Sequence, residues 1–530
     1  MILRRRILAC VAMAAAGVPG HARDVPPGRN VEAAPAGSLA ATCPAIAAHA
    51  PTGVSIDLAE AVEPAPSWRS PAGPESRGGA SVRRPFCRVV GRIEGDIGFE
   101  IWLPTQADWN RRMLGAGVGG EAGYFNYTDM ARGVEQGFVT ASSDTGHKRG
   151  ESWINNPRKT DNYSYRAYHL LTGTAKALAK AFYGATVSRS YFIGCSGGGR
   201  QGLREMQLYP ADYDGVLLGA PGQDVPLLAA RLIQVYRAQA ENPGGNLTAA
   251  DWALIAEGAR KACDARDGLA DGVIADPRRC SFAVRTLQCA PGQKEGCLSP
   301  AKVKAAAAII APLTDDAGHE YDYGLLPGIT ARPGEMPPLP RQMFGQVIHR
   351  DPDWNPLSFD IASDLPAARA AFAQMDASDT DLSRFAARGG KLMLYHGWAD
   401  ASVQPEATIA FFDRLKPARE RAEFARLYLV PGMHHCSGGN ATDHFGGAGD
   451  RAITGDPHTD MLAALIAWVE RGDRPGPIVA RRLGADGAVD RTRPLCPWPQ
   501  AAAYRGGDGD NAANFACGPG VSAPHGSGGG

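Results

Sequence analysis

A serine becomes a usable nucleophile when it stands on a tight turn between a strand and a helix, with small residues on either side. The run Gly194-Cys195-Ser196-Gly197-Gly198 has that form. Tyr191-Phe192-Ile193 reads as the short apolar strand entering the turn, and Gly199–Leu208 as the helix leaving it. A hydroxyl alone is a weak nucleophile: it needs a base, and the base needs an orienting acid. When a serine sits on such a turn, the acid and then the histidine follow it along the chain. Asp400 follows the apolar run Leu392–Tyr395 through His396-Gly397-Trp398-Ala399. His434 and His435 follow Leu427–Val430 through Pro431-Gly432-Met433. Each of these residues alone also suits a surface loop, and Ser196 also suits a glycine turn opening a helix. Their order, and their positions just past strand ends, favour Ser196 as nucleophile, Asp400 as acid and one of the two histidines as base.

The cysteines separate the two histidines. Cys195 directly precedes Ser196, and Cys436 directly follows His435. A bond between them ties nucleophile to base and favours His435. It closes a loop of more than two hundred residues, a constraint on the order of 4–5 kcal/mol in the chain-entropy model. The N-terminus supports an oxidising destination. Arg4, Arg5 and Arg6, an apolar run from Ile7 to Val18, and Gly20-His21-Ala22 make a signal peptide (residues 1–22) cleaved after Ala22. The run is too short for a membrane anchor; lipidation at Cys10, in Leu8-Ala9-Cys10, is the other alternative. Removing Cys10 from the 11 cysteines leaves ten, an even number that suits a disulfide framework in a secreted or periplasmic protein. Spacing suggests the local pairs Cys263–Cys280, Cys289–Cys297 and Cys496–Cys517. No Cys-x-x-Cys pair is present to argue for zinc.

Strands alternating with helices must position these residues. Cys87–Glu94 and Gly98–Leu103 read as paired strands; Arg112–Gly117, Phe138–Ser142, Val216–Leu218, Leu392–Tyr395 and Leu427–Val430 as buried ones; Tyr163–Tyr183 and the segment bearing Met461, Leu462, Leu465, Ile466 and Val469 as helices. The expected fold class is α/β, with a mostly parallel sheet covered on both faces. Residues 223–389 break the rhythm with four cysteines and a proline-rich stretch, Pro333 to Pro340. They read as a lid inserted into a core made of residues 41–222 and 390–517. Residues 23–40 and the tail 518–530 read as flexible. The formal net charge of zero, with no basic stripe, argues against nucleic acid or an anionic membrane surface as partner.

The Cys195-Ser196, Asp400 and His435-Cys436 set resembles the tannase and feruloyl esterase family. Further matching stretches are Tyr395-His396-Gly397-Trp398-Ala399-Asp400, Val430-Pro431-Gly432-Met433-His434-His435-Cys436 and Arg493-Pro494-Leu495-Cys496-Pro497. The resemblance spans about residues 40–517 and implies an α/β-hydrolase core with a large lid. It implies Cys43–Cys87 and Cys195–Cys436 beside the three local disulfides. It also implies an oxyanion hole from the backbone N–H of Gly197 and one from Gly117-Val118-Gly119-Gly120, with Gly120 favoured over Gly119, and a place for His396 in the acyl pocket. Tyr321, Tyr323, Phe344 and Trp354 are candidate pocket aromatics.

The run from Cys263 to Pro277 sets Asp264, Asp267, Asp271 and Asp276 among glycines. Calcium takes six to eight oxygens from carboxylates and carbonyls on a curved loop; an acidic surface turn has the same composition. The resemblance implies a structural calcium held by Asp264, Asp267 and Asp271 and the carbonyls of Leu269 and Val273, with Asp276 as a possible sixth ligand. The function implied is hydrolysis of aromatic (phenolic) acyl esters such as feruloyl or galloyl esters through an acyl-enzyme. Terephthalate half-esters are an alternative substrate. An acyltransferase with the same triad, or a non-catalytic binding protein, are alternative functions.

Overall fold

Nine strands form one mixed sheet in the order β1-β2-β3-β5-β4-β6-β7-β8-β9. They are β1 (Val54–Val62), β2 (Phe86–Ile93), β3 (Ile97–Pro104), β4 (Arg112–Ala116), β5 (Val139–Ser143), β6 (Arg189–Cys195), β7 (Gly215–Gly219), β8 (Lys391–Gly397) and β9 (Ala425–Val430). The first three pair antiparallel, β3 pairs antiparallel with β5, and every pairing from β5 through β4 to β9 is parallel. The computed structural model describes residues 38–63, 68–71, 79–330 and 336–520. The signal peptide with Cys10, residues 23–37, part of the proline-rich stretch and residues 521–530 lie outside the described residues.

The central strands read as unbroken apolar runs because both faces are covered. Every residue of β3, β5 and β7 is buried. Successive side chains point to opposite faces of a strand, and the core divides accordingly. Phe192, Val216, Leu218, Leu392 and Leu394 join Leu171, Ala175 and Leu178 of the helix Ala167–Tyr183. Tyr191, Ile193, Leu217, Met393 and Tyr395 join Met461, Leu462, Leu465 and Trp468 of the helix Met461–Arg471. The two helices therefore clamp opposite faces of the same strands. Their register brings the carboxyl ends of β6 to β9 level: Cys195 lies beside Gly219, Gly219 beside Tyr395, and Gly397 beside Val430.

β7 and β8 are neighbours in the sheet although residues 220–390 separate them in sequence. That excursion carries the helices Val225–Ala240, Ala249–Cys263, Pro300–Ile310 and Ile361–Ala371. It buries an apolar cluster containing Leu247, Trp252, Ile255, Leu298 and Ile309. All five expected disulfides are present: Cys43–Cys87, Cys195–Cys436, Cys263–Cys280, Cys289–Cys297 and Cys496–Cys517.

Three features depart from the sequence reading. β1 adds an edge strand. The chain after residue 477 forms two hairpins, β10 (Ile478–Leu483) with β11 (Val489–Leu495) and β12 (Gln500–Tyr504) with β13 (Phe515–Pro519). The helix expected over Tyr163–Tyr183 begins as a wider π-helical turn, Asn162–Arg166, before the α-helix from Ala167.

A buried ion pair holds the excursion together. The side chains of Arg231 and Asp322 are 6% and 1% exposed. Arg231 also donates to the carbonyls of Ile309 and Ala311 at 3.0 and 2.9 Å. Asp322 accepts from the N–H groups of Leu313 and Gly324 and from Gln404 Nε2, just beyond β8. Asp322→Ala leaves a guanidinium buried without its counter-charge, which costs about 3–5 kcal/mol. Urea unfolding of that variant should show a loss of this size; a loss within experimental error would refute the pair's importance.

Candidate active site

Ser196 takes φ +61° and ψ −121°, a conformation that side-chain-bearing residues rarely adopt. Three backbone bonds hold it: Ser196 N–H donates to the Gly219 carbonyl at 2.9 Å, and its own carbonyl accepts from the N–H groups of Arg200 at 2.9 Å and Gly222 at 3.3 Å. The turn is too tight for side chains. A Cβ on Gly194 would lie 2.6 Å from the Gly198 carbonyl oxygen. The helix Gly197–Leu208 follows directly, starting two residues earlier than expected.

His435 and Asp400 arrive from the loops after β9 and β8. His435 Nδ1 lies 2.7 Å from Asp400 Oδ2, which fixes the imidazole N–H on Nδ1 and leaves Nε2 as the basic nitrogen. Asp400 is buried, with its Oδ1 accepting from the N–H groups of Ser402 and Val403 at 2.7 and 3.0 Å. Burial opposes ionisation of this carboxyl. The hydrogen bonds and charge of His396 and His435 outweigh it and hold the group well below the usual carboxylate range. The two loops are joined independently, since Trp398 N–H donates to Val430 and Ala399 N–H to Met433. His434, the other histidine, is turned away: its Nε2 lies 3.3 Å from Thr330 Oγ1, and burial pushes its imidazole down.

The disulfide Cys195–Cys436 binds the residue before Ser196 to the residue after His435, with the Cα atoms 6.0 Å apart. The strand end and the β9 loop are thus neighbours by covalent necessity.

The loop after β4 closes on the start of the serine helix. A Cβ placed on Gly197 would meet Gly120 O at 2.7 Å and Gly120 N at 3.1 Å. Gly119 N–H already donates to the Tyr124 hydroxyl at 2.9 Å, whereas neither Gly120 N–H nor Gly197 N–H has an acceptor among the described residues. Of the two glycines expected as donors from this loop, Gly120 is therefore the one whose N–H is not already engaged among the described residues. Gln201 fixes the loop by receiving Val118 N–H at 3.0 Å and donating to Val118 O at 3.2 Å, and Asn126 Nδ2 donates to Gly117 O at 2.7 Å.

One expectation is corrected. His396 does not line an open pocket: it is 0% exposed. Its Nε2 faces both Asp400 Oδ2 (3.2 Å) and the Val403 carbonyl (2.9 Å), so it carries the proton, and Nδ1 accepts from Thr408 Oγ1 at 2.9 Å. His396 is a positioning residue behind Asp400. Phe344 and Trp354, offered as pocket aromatics, are buried in the core; Tyr321 is partly buried and Tyr323 is exposed. Thr408, Tyr124 and Gln201 went unnoticed in the sequence. Only Gln201 carried a signal, as a polar residue on a glycine-rich helix just after the serine.

The aspartate loop, the expected calcium site, gathers carboxylates and unengaged carbonyls. Asp264 and Asp271 stand close enough to Asp267 for their charge, after burial, to push its carboxyl up. The Leu269 and Val273 carbonyls accept no hydrogen bond among the described residues. The three carboxylates do not converge as tightly as a cluster elsewhere in the chain. Asp264 accepts from the N–H groups of Asp271 and Gly272, and Asp271 is paired with Arg493. Asp276 is committed to Arg278 instead, which weighs against it as a sixth ligand.

The chain is similar to known esterases. Residues 80–518 match the family described as tannase and feruloyl esterase. An esterase of Xanthomonas campestris pv. campestris is 34% identical over 494 residues, covering 83% of this chain and 85% of that protein. The mono(2-hydroxyethyl) terephthalate hydrolase of Piscinibacter sakaiensis is 31% identical over 548 residues, covering 85% and 87%. The crystal structure of feruloyl esterase B from Aspergillus oryzae superposes with a TM-score of 0.81 at 25% identity, covering 91% of this chain and 100% of that one. With its α/β-hydrolase fold, the chain belongs to the tannase and feruloyl esterase family and is a carboxylic ester hydrolase.

Proposed function

We propose that the chain hydrolyses aromatic acyl esters, of the feruloyl or galloyl kind, with Ser196, His435 and Asp400 as its catalytic triad. The observation that carries this reading is the His435–Asp400 hydrogen bond held against the serine turn by Cys195–Cys436. Ser196 Oγ attacks the ester carbonyl while His435 Nε2 takes its proton. The oxyanion is received by the N–H groups of Gly197 and Gly120, preorganised donors of the kind that supply a large share of the rate. His435 returns the proton to the leaving alkoxide. Water, deprotonated by the same nitrogen, then releases the acid from Ser196. Asp400, ionised and buried, stabilises the imidazolium that forms in each half-reaction.

The aromatic acyl preference rests on the named substrates of relatives. We assign the excursion 223–389 the role of a lid over the carboxyl ends of the strands, where α/β folds bind their ligands. The five disulfides support export as a secreted or periplasmic enzyme.

Calcium is the proposed structural ion of the lid. Asp264, Asp267, Asp271 and the carbonyls of Leu269 and Val273 would hold it, and it would neutralise crowded carboxylates. No catalytic step involves it.

Three outcomes test these proposals. Across methyl ferulate, methyl gallate, chlorogenate, the terephthalate half-ester and p-nitrophenyl acetate, kcat/KM should be highest for a phenolic ester. Ser196→Ala should lower it by at least about 10⁴-fold. A preference for the terephthalate half-ester reassigns the substrate, and full activity in Ser196→Ala rejects the mechanism.

Asp400 is held below the usual carboxylate range by its two imidazole partners. A depressed carboxyl loses its contribution only as pH falls through its folded pKa, so Asp400 should add no ionisation of its own to the pH profile of kcat above the usual carboxylate range. Asp400→Asn should lower kcat about 10⁴-fold while the protein stays folded; retention of wild-type kcat would exclude Asp400 as the orienting acid.

For the metal, calcium added after chelation should raise Tm in the wild type and leave Asp264→Asn and Asp267→Asn unchanged. Equal shifts in all three proteins would place any bound calcium elsewhere.

A further inference from the structure

A second cluster of ligating groups lies away from the serine. His169 belongs to the helix Ala167–Tyr183, Glu205 to the far end of the helix Gly197–Leu208, and Asp212 to the turn before β7. Glu205 is nine residues beyond Ser196, about 13 Å along the helix axis. One ligand atom of each side chain lies within 4.8 Å of the others. Among the described residues this is the one group of histidine, cysteine and carboxylate side chains so arranged.

Proximity alone does not make a site. The independent observation is Glu205. It is 1% exposed, and its Oε2 is buried and receives no N–H or O–H donor among the described residues; the polar group it meets is the carboxyl of Asp212. The carboxyl faces that of Asp212, and after burial this neighbour is the main influence raising it far above its ordinary range. Two carboxylates so placed need either a proton or a cation between them. His169 completes the set, with Nδ1 2.6 Å from Asp212 Oδ2 and its ring stacked on Tyr209 at 3.7 Å, which fixes its orientation. The nearest ammonium, Lys176 Nζ, is engaged with the Asp212 backbone carbonyl at 2.6 Å. The cluster also meets the carbonyl end of the serine helix, where the helix dipole favours a cation. On its outer side His169 and Asp212 border a surface cavity shared with Tyr209, Arg384 and Arg388.

We propose that His169, Glu205 and Asp212 form a binding site for a divalent transition-metal ion of the zinc class, separate from the aspartate loop. One imidazole and two carboxylates suit zinc, whereas calcium takes oxygen ligands. Three protein ligands leave a coordination position towards the surface cavity. The ion would lie between the facing carboxylates of Glu205 and Asp212, with the imidazole of His169 beside them. It joins the serine helix to the helix Ala167–Tyr183 and the turn before β7. The inference does not rest on the catalytic assignment.

The test is zinc titration of the full chain by calorimetry, after chelation and with calcium restored to saturation. One zinc ion should bind per chain. His169→Ala and Glu205→Gln should each weaken binding by more than about tenfold, the scale seen even for groups that only support metal ligands. Gln keeps the shape of Glu205, and His169 is partly exposed, so both variants should keep the wild-type circular dichroism. Cobalt should give a visible absorption band that His169→Ala abolishes. No zinc binding, or unchanged binding and cobalt spectra in both variants, would overturn the site. Either result would leave a shared proton between the carboxylates, or place the ion on His434 and His435.

Discussion

The bond between Cys195 and Cys436 fixes what the sheet alone leaves open. β6 and β9 are separated by two strands, so their ends are about 14 Å apart at ordinary strand spacing. For a histidine after β9 to meet a serine after β6, the β9 loop must fold back across the ends of β7 and β8. The disulfide holds it there. Contacts with the β8 loop, through Val430 and Met433, then carry Asp400 to the same place. Glycines are required wherever backbones are pressed together by this folding. A Cβ on Gly397 would lie 2.3 Å from the Met433 carbonyl oxygen.

Behind that loop the electrostatics are arranged in depth. Asp400 has no access to water, yet every one of its oxygens is satisfied, by two backbone N–H groups and two imidazoles. His396 and Thr408 extend the chain of hydrogen bonds one layer further. A fully satisfied buried network of this kind sets the direction of each member. The orientation of His435 therefore depends on side chains that no substrate reaches. The loop after β4 follows the same plan, with Gln201, Tyr124 and Asn126 engaging its polar groups at Val118, Gly119 and Gly117.

The sequence displayed the parts that depend on local pattern. The buried strands appear as apolar runs because both their faces are covered, and the serine turn appears because its glycines are sterically forced. The two cysteines drew His435 out from beside His434. Contacts between distant segments left no such trace. Nothing near His396 shows that its ring turns inwards onto Asp400, since that orientation is set by Thr408, on the following helix, and by the Val403 carbonyl. β1 was missed because an edge strand has mixed burial. The terminal hairpins were missed because their polar positions pair with groups far back in the chain.

Those terminal hairpins also set a temporal order. Arg493 and Arg491 reach back to Asp271, the latter to its carbonyl across a separation of 220 residues. A chain leaving the ribosome carries the aspartate loop long before it carries these arginines. Until the last strands emerge, Asp271 stands without its two guanidinium partners. The C-terminal segment thus fastens the aspartate loop last, and a chain stopped short of it would hold Ser196, His435 and Asp400 on a structure not yet fastened.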